Sequence, residues 1–294
     1  MTRAQWLSRA LVPMFMLCAS FGATPVTLVT DHSDPADNAA TAVSTTTAVP
    51  PAPCVGDGVS GRRVMLFYAR LASDANAYTT AAPAIRTMAA SVNDAWRTVA
   101  GKNVLWRCTS GAVSVTSVVV TSLRLSACRT ALQTQGFTRT DRIYVCFMRA
   151  SADGYGGQAE VLHNADAKVS PSKHDTGPRY ATVYSLNTSA AGTFMHEFGH
   201  TLGAVQCSAP HSSCPSGELG HHHCYEEQDV MCYSDGGSYF DLGGLIINRC
   251  LLAATIAARW DCGKDDYFSA NPAGGSYLAT HWNTRDSLFL QSAS

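Results

Sequence analysis

Apolar residues along this chain fall into blocks with different periods, and the blocks predict the elements. Residues 63–69 (RVMLFYA) are a continuous apolar run rich in strand formers, which predicts a buried strand. Residues 82–99 place Ile85, Met88, Ala89, Val92 and Trp96 at spacings of three and four, which predicts an amphipathic helix ended by Gly101. Residues 104–107 and 112–122 predict strands, with Val and Thr alternating in the second. Residues 123–135 predict a helix stopped by Gly136. Residues 142–148 (RIYVCFM) and 180–186 (YATVYSL) predict two more strands, separated by a loop-rich stretch with glycines at 154, 156 and 157. Strands alternating with helices predict an α/β (α+β) domain with a twisted mixed sheet. A third helical segment, capped at Thr188 or Ser189 and carrying residues 194–206, follows, and then an irregular, cysteine-rich lobe. No internal repeat is visible.

The N-terminus has a different pattern. Arg3 and Arg9 lie at the start of an uncharged apolar stretch at residues 10–23 (ALVPMFMLCASFGA), the arrangement of a signal peptide. Residues 1–29 are expected to be that signal, with cleavage placed loosely between Ser20 and Thr30. An uncleaved anchor is the rival reading, but Pro13, Pro25, Ser20 and Thr24 make a poor spanning helix. Cys18 follows Leu17 rather than a small residue, so it reads as part of the signal and not as a lipoprotein cysteine. Residues 30–53 are rich in Ala, Thr and Pro, bury little, and are expected to form a disordered tether. Residues 54–294 are expected to form one domain.

Composition narrows the function. Hydrophobic residues make up 46% of the 294, enough for a sizeable core, while charged residues make up only 15%. The formal net charge of −1 argues against a nucleic-acid partner, which needs a basic face. No run of like charge suggests a membrane surface. There are eleven cysteines; setting Cys18 aside leaves ten, enough for five bridges. No C-x-x-C pair occurs, so disulfides in an oxidising compartment are favoured over a metal cluster. A secreted monomer without stable membrane association is expected.

The candidate chemistry lies in FMHEFGHTLGAVQ, residues 194–206. His196 and His200 are four apart and share one helix face, so two neutral imidazoles can grip one tetrahedral zinc ion. Thr188 or Ser189 is placed to cap the helix. Glu197 is placed to take a proton from metal-activated water and pass it to a leaving amine. This is the H-E-x-x-H pattern. Gly203 follows, where a left-handed residue can end the helix and return the chain across the metal. Downstream, residues 229–233 (DVMCY) look like a methionine-containing tight turn. With these residues the sequence resembles the metzincin zinc metallopeptidases over residues 190–233. It is also similar to a group of secreted bacterial metzincin-like proteins in the segments GAVQCSAPHSS, HCYEEQDVMCYSD and NPAGGSYLATHWNT.

The resemblance implies a zincin-like fold, Zn2+ as cofactor, a peptide or protein substrate, Glu197 as general base, and Tyr233 as a group that steadies the oxyanion. One departure matters. The family's third ligand, a histidine or aspartate, falls three residues after the glycine, where this chain has Gln206. Gln206 itself is one candidate third ligand; His223 and His211 are others, then Glu226 or Asp229, or a thiolate from Cys207 or Cys232. At least two of His221, His222 and His223 read as a solvated loop. Glu226, Glu227 and Asp229 are candidates to orient a histidine. Asp265 and Asp266 read as an exposed turn, with calcium as the alternative. Tyr277, His281 and Trp282 read as core. No G-x-S-x-G elbow and no Gly-rich phosphate loop occurs. The function expected is a secreted zinc-dependent endopeptidase. The alternative is a non-catalytic secreted binding module on the same frame, its third metal position degenerate.

Overall fold

The computed structural model describes residues 26–30, 49–162, 170–214, 222–226, 228–232, 250 and 255–293. The central element is a six-stranded sheet. Its strands in chain order are β1 (Val26–Thr30), β2 (Arg63–Leu71), β6 (Val115–Val120), β7 (Arg142–Phe147), β8 (Gly157–Leu162) and β9 (Arg179–Val183). Their spatial order is β1-β8-β9-β7-β2-β6. Strands β6, β2, β7 and β9 run parallel, while β8 is antiparallel to β9 and β1 antiparallel to β8. Short strands outside this sheet include β3 (Lys102–Val104), β4 (Cys108–Thr109) and β5 (Ala112–Val113). The fold is α/β around a mixed sheet, as the alternation of strands and helices predicts.

Side chains alternate across the strands and build two cores. Val64, Leu66 and Tyr68 of β2 and Ile143, Val145 and Phe147 of β7 face one side. There they meet α1 (Tyr78–Ala100) and α4 (Ala191–Thr201). Phe67 and Ala69 of β2 and Tyr144 and Cys146 of β7 face the other, against α2 (Leu125–Thr134). Helix α1 buries Ile85, Met88, Ala89, Val92 and Trp96, the five residues that define its apolar stripe. It ends at Gly101, whose φ of 61° is left-handed and whose N–H donates to Arg97 O.

Strand β8 departs from the sequence reading, which had a loop there. Its Gln158 and Glu160 are buried and satisfied rather than exposed. The Gln158 side chain accepts from Leu125 N and Tyr184 Oη, and Glu160 accepts from Arg129 Nη1 at 2.9 Å and Tyr180 N at 3.0 Å. Polar groups stand where a strand would normally carry apolar ones, so the alternation was hidden. A short helix, α3 (Pro171–His174), also forms in this stretch. Residues 104–107 form less strand than expected: β3 ends at Val104, and Trp106 makes only an isolated bridge to Val64.

Strand β1 occupies positions where the end of the signal and the start of the tether were expected; residues 1–25 and 31–48 lie outside the described residues. Disulfides join Cys54–Cys108, Cys128–Cys146, Cys207–Cys214, Cys224–Cys232 and Cys250–Cys262, pairing every cysteine after Cys18. Among its described residues the C-terminal lobe carries α5 (Tyr277–Thr280), a 3-10 turn at Thr284–Asp286, and β10 (Leu290–Ser292), which pairs with β3 beyond the end of α1. Of the tail aromatics, Trp282 is core: it stacks on His174 at 3.4 Å and donates to Leu202 O. Tyr277 packs half-buried against the main core and stacks on His281, which is half-buried too. Among the described residues no helix is long and apolar enough to cross a membrane.

Candidate metal centre

Helix α4 follows a 3-10 turn at Thr188–Ala190, and that turn is capped by Asn187, whose Oδ1 accepts from Ser189 N. The cap lies before Thr188 and Ser189, the expected candidates, because the 3-10 turn takes up those positions. Phe194 and Phe198 then anchor α4 against Trp106, and Phe194 also meets Phe147 edge-on. With those rings buried, the opposite face of α4 presents His196 and His200 together.

A third imidazole joins them, from His223. The Nε2 atoms of His200 and His196 are 2.9 Å apart, and those of His200 and His223 are 3.2 Å apart. Two nitrogens on one tetrahedral zinc, each at about 2.0–2.1 Å from it, would lie about 3.3 Å apart. His196 Nδ1 is 2.6 Å from Val230 O. A carbonyl can only accept, so Nδ1 carries the proton and Nε2 offers its lone pair to the shared point. Burial first, then the neighbouring His196, His223 and His222, hold His200 well below the usual histidine range. It is therefore a neutral imidazole, the form that ligates. The three converging nitrogens suit a divalent transition ion.

Glu197 is fully buried on α4 beside His196. Its carboxylate lies against Gly157, the first residue of β8, where any Cβ would collide with it. Gly199, inside the motif, serves the floor of the site. An ideal Cβ there would come within 2.7 Å of Met231 Sδ and 2.8 Å of Trp260 Cη2. Gly203 ends the helix at φ 79°, as the motif predicts, and its N–H donates to His200 O at 2.9 Å.

The Gln206 side chain donates from Nε2 to Gly203 O at 2.8 Å, at the helix end. The third histidine arrives from further along. Ser213 N and Oγ donate to His223 O, and Ser212 bridges Cys224, which draws residue 223 to the helix. His222 and His223 are both buried, so they do not belong to a solvated loop; His222 Nδ1 lies 3.2 Å from Val205 O.

His211 belongs to a separate group. Its Nδ1 is 3.1 Å from both Asp266 oxygens, 3.4 Å from Glu226 Oε1 and 3.8 Å from Asp265 Oδ1. The bond to Asp266 raises its pKa against the cost of burial. Asp266 is buried rather than set in an exposed turn. Glu226 thus faces His211, and Asp229 serves a backbone turn, its Oδ1 accepting from Met231 N at 2.8 Å. Cys207 and Cys232 are in disulfides, which removes them as thiolate ligands. Tyr233, His221 and Glu227 lie outside the described residues. Sequence reasoning missed Gly157, Gly199 and the Val230 carbonyl. Only Gly199 left a signal, as a small residue between the two motif histidines.

No family model matches the chain, and no curated protein matches it. Among solved structures it is similar to metalloproteinase-II from Bacteroides fragilis. Identity is 15% and the TM-score 0.30, over 64% of this chain and 52% of that one. The chain thus spans about half the length of that metalloproteinase.

Proposed function

We propose that the protein is a secreted zinc-dependent endopeptidase. The observation that carries this reading is the convergence of three imidazole Nε2 atoms, at 2.9 and 3.2 Å, beside a buried glutamate. His196, His200 and His223 would hold zinc. When bound, the ion supplies a Lewis acid that brings the pKa of a coordinated water down to near neutrality. Glu197 accepts the proton of the attacking water and delivers it to the departing amine nitrogen. Burial around Glu197 strengthens that proton's interactions by excluding solvent. The metzincin resemblance of residues 190–233 supports the same assignment, with a peptide or protein substrate. Five disulfides and the basic-then-apolar N-terminus support export. The binding-module alternative drew on the weak donor at Gln206; the convergence of His223 with His196 and His200 favours the catalytic reading instead.

The test is hydrolysis of a mixed peptide library by the purified protein, with and without a zinc chelator, beside Glu197→Gln. Chelation should abolish cleavage. Glu197→Gln should keep its metal and lose about 10²–10⁴-fold in turnover. Near-normal turnover in that variant would sink the mechanism.

A further inference from the structure

We infer that Asp229 is a positioning residue for the metal centre, its carboxylate fixing the turn that orients His196 and braces His223. The inference rests on the metal-centre reading above and adds a residue that touches none of the reacting groups.

Asp229 is 2% exposed, yet its carboxylate meets three donors. Oδ1 accepts from Met231 N at 2.8 Å and from Tyr267 Oη at 2.5 Å. Oδ2 accepts from Cys262 N at 2.9 Å. The first of these bonds closes a tight turn around Val230, and the other two pin that turn to the loop at residues 261–268.

Two ligands depend on the geometry that results. The Val230 N–H donates to Arg259 O at 2.8 Å, so Val230 is held on its N-side as well. Its carbonyl is left aimed at His196 Nδ1, 2.6 Å away. That contact sets both the tautomer and the ring angle of His196. On the other side of the turn, Met231 O accepts from Cys224 N at 3.2 Å, and Cys232 is disulfide-bonded to Cys224. Cys224 is the neighbour of His223. One turn therefore holds one ligand through a side-chain bond and a second through the adjacent backbone. The third, His200, is carried by α4 itself.

The residue type follows from the three donors. The two oxygens of Asp229 meet all three, and these donors oppose burial and the neighbouring Asp261, which push the carboxyl pKa up to about 8. Asparagine keeps one oxygen, enough for Met231 N and Tyr267 Oη, but would turn an amide N–H₂ towards Cys262 N. Alanine accepts nothing and leaves the turn free to rotate the Val230 carbonyl.

The experiment uses the full chain produced with its disulfides, as wild type, Asp229→Asn, Asp229→Ala and His196→Ala. Zinc release to a chromophoric chelator, the visible spectrum of the cobalt-substituted protein and the melting temperature are measured for each. Asp229→Ala should release zinc about 10–100-fold faster and shift the cobalt bands, as loss of a group that orients a ligand does. Asp229→Asn should give a smaller change in the same direction. A purely structural role would lower the melting temperature while the folded fraction kept wild-type bands and release rate; that result overturns the inference. Should Asp229→Ala fail to fold, Asp229→Asn decides, and wild-type bands there overturn it. A wild type that holds no more zinc than His196→Ala overturns the metal centre itself, and the inference with it.

Discussion

His223 reaches α4 from 23 residues beyond His200, and its test is made one side chain at a time. His223→Ala should lose most bound zinc after dialysis, because two imidazoles are a poor zinc site. Gln206→Ala should keep it, because His196, His200 and His223 already supply three converging nitrogens. Zinc per protein by atomic absorption checks both, and retention by His223→Ala would return the third position to another group. Gly199→Ala should be costly although it adds only a methyl. The new Cβ would press on Met231 and Trp260, an overpacking that costs about 1–3 kcal/mol. A denaturant titration measures it, and an unchanged midpoint would refute it. At this scale His196, Glu197, His200 and Gly203 were legible, because a four-residue spacing on a helix and a left-handed stop are local facts. For the third position the sequence offered several candidates, His223 among them, and could not choose. Chain spacing cannot tell which later residue a disulfide and a single bridge will bring back.

Helices and strands were legible wherever burial followed hydrophobicity. Helix α1 and strands β2, β7 and β9 declare themselves because the residues facing each core are apolar. Strand β8 did not, since Gln158 and Glu160 occupy buried positions and are satisfied by α2 and its own neighbours. Burial raises the pKa of Glu160, while Arg129 and the Tyr180 N–H pull it back. Glu160→Ala should therefore destabilise the protein by about 1–3 kcal/mol, since Tyr180 N would be left buried without its acceptor. Urea unfolding followed by circular dichroism reads this directly. A loss below about 0.5 kcal/mol would mean that the pair with Arg129 behaves as an exposed one.

For the molecule as a whole, the proposed export and the cross-linking are tested together. The five bridges use all ten cysteines after Cys18, so mass spectrometry of the unreduced, exported protein should find no free thiol. Acid should act through His174, which joins the sheet side of the molecule to the C-terminal tail by stacking on Trp282. Burial lowers its pKa from 6.5 to about 4, against the opposing pull of Asp175. The folded pKa lies below the unfolded one, so the unfolded chain takes up the proton first. The stability involved is complete above about pH 6.5 and is lost as pH falls towards 4, at most about 3 kcal/mol. Melting temperatures at pH 7 and pH 4 should differ more in wild type than in His174→Asn. Equal differences would place the acid sensitivity elsewhere.

Strand β1 would give a signal cleavage, if the chain is exported as proposed, a meaning beyond secretion. Its five residues cover the outer edge of β8, with Thr30 opposite Gln158, the neighbour of the glycine that faces Glu197. A cut before Val26 leaves this edge capped by the chain's own backbone. A cut beyond Thr30 uncovers a row of unpaired N–H and C=O groups, a template to which an extended peptide can add as a strand. Export and access would then be a single irreversible event. N-terminal sequencing of the exported protein, beside its cleavage rate and that of a form beginning at residue 31, distinguishes a chain born open from one that must first shed its own strand.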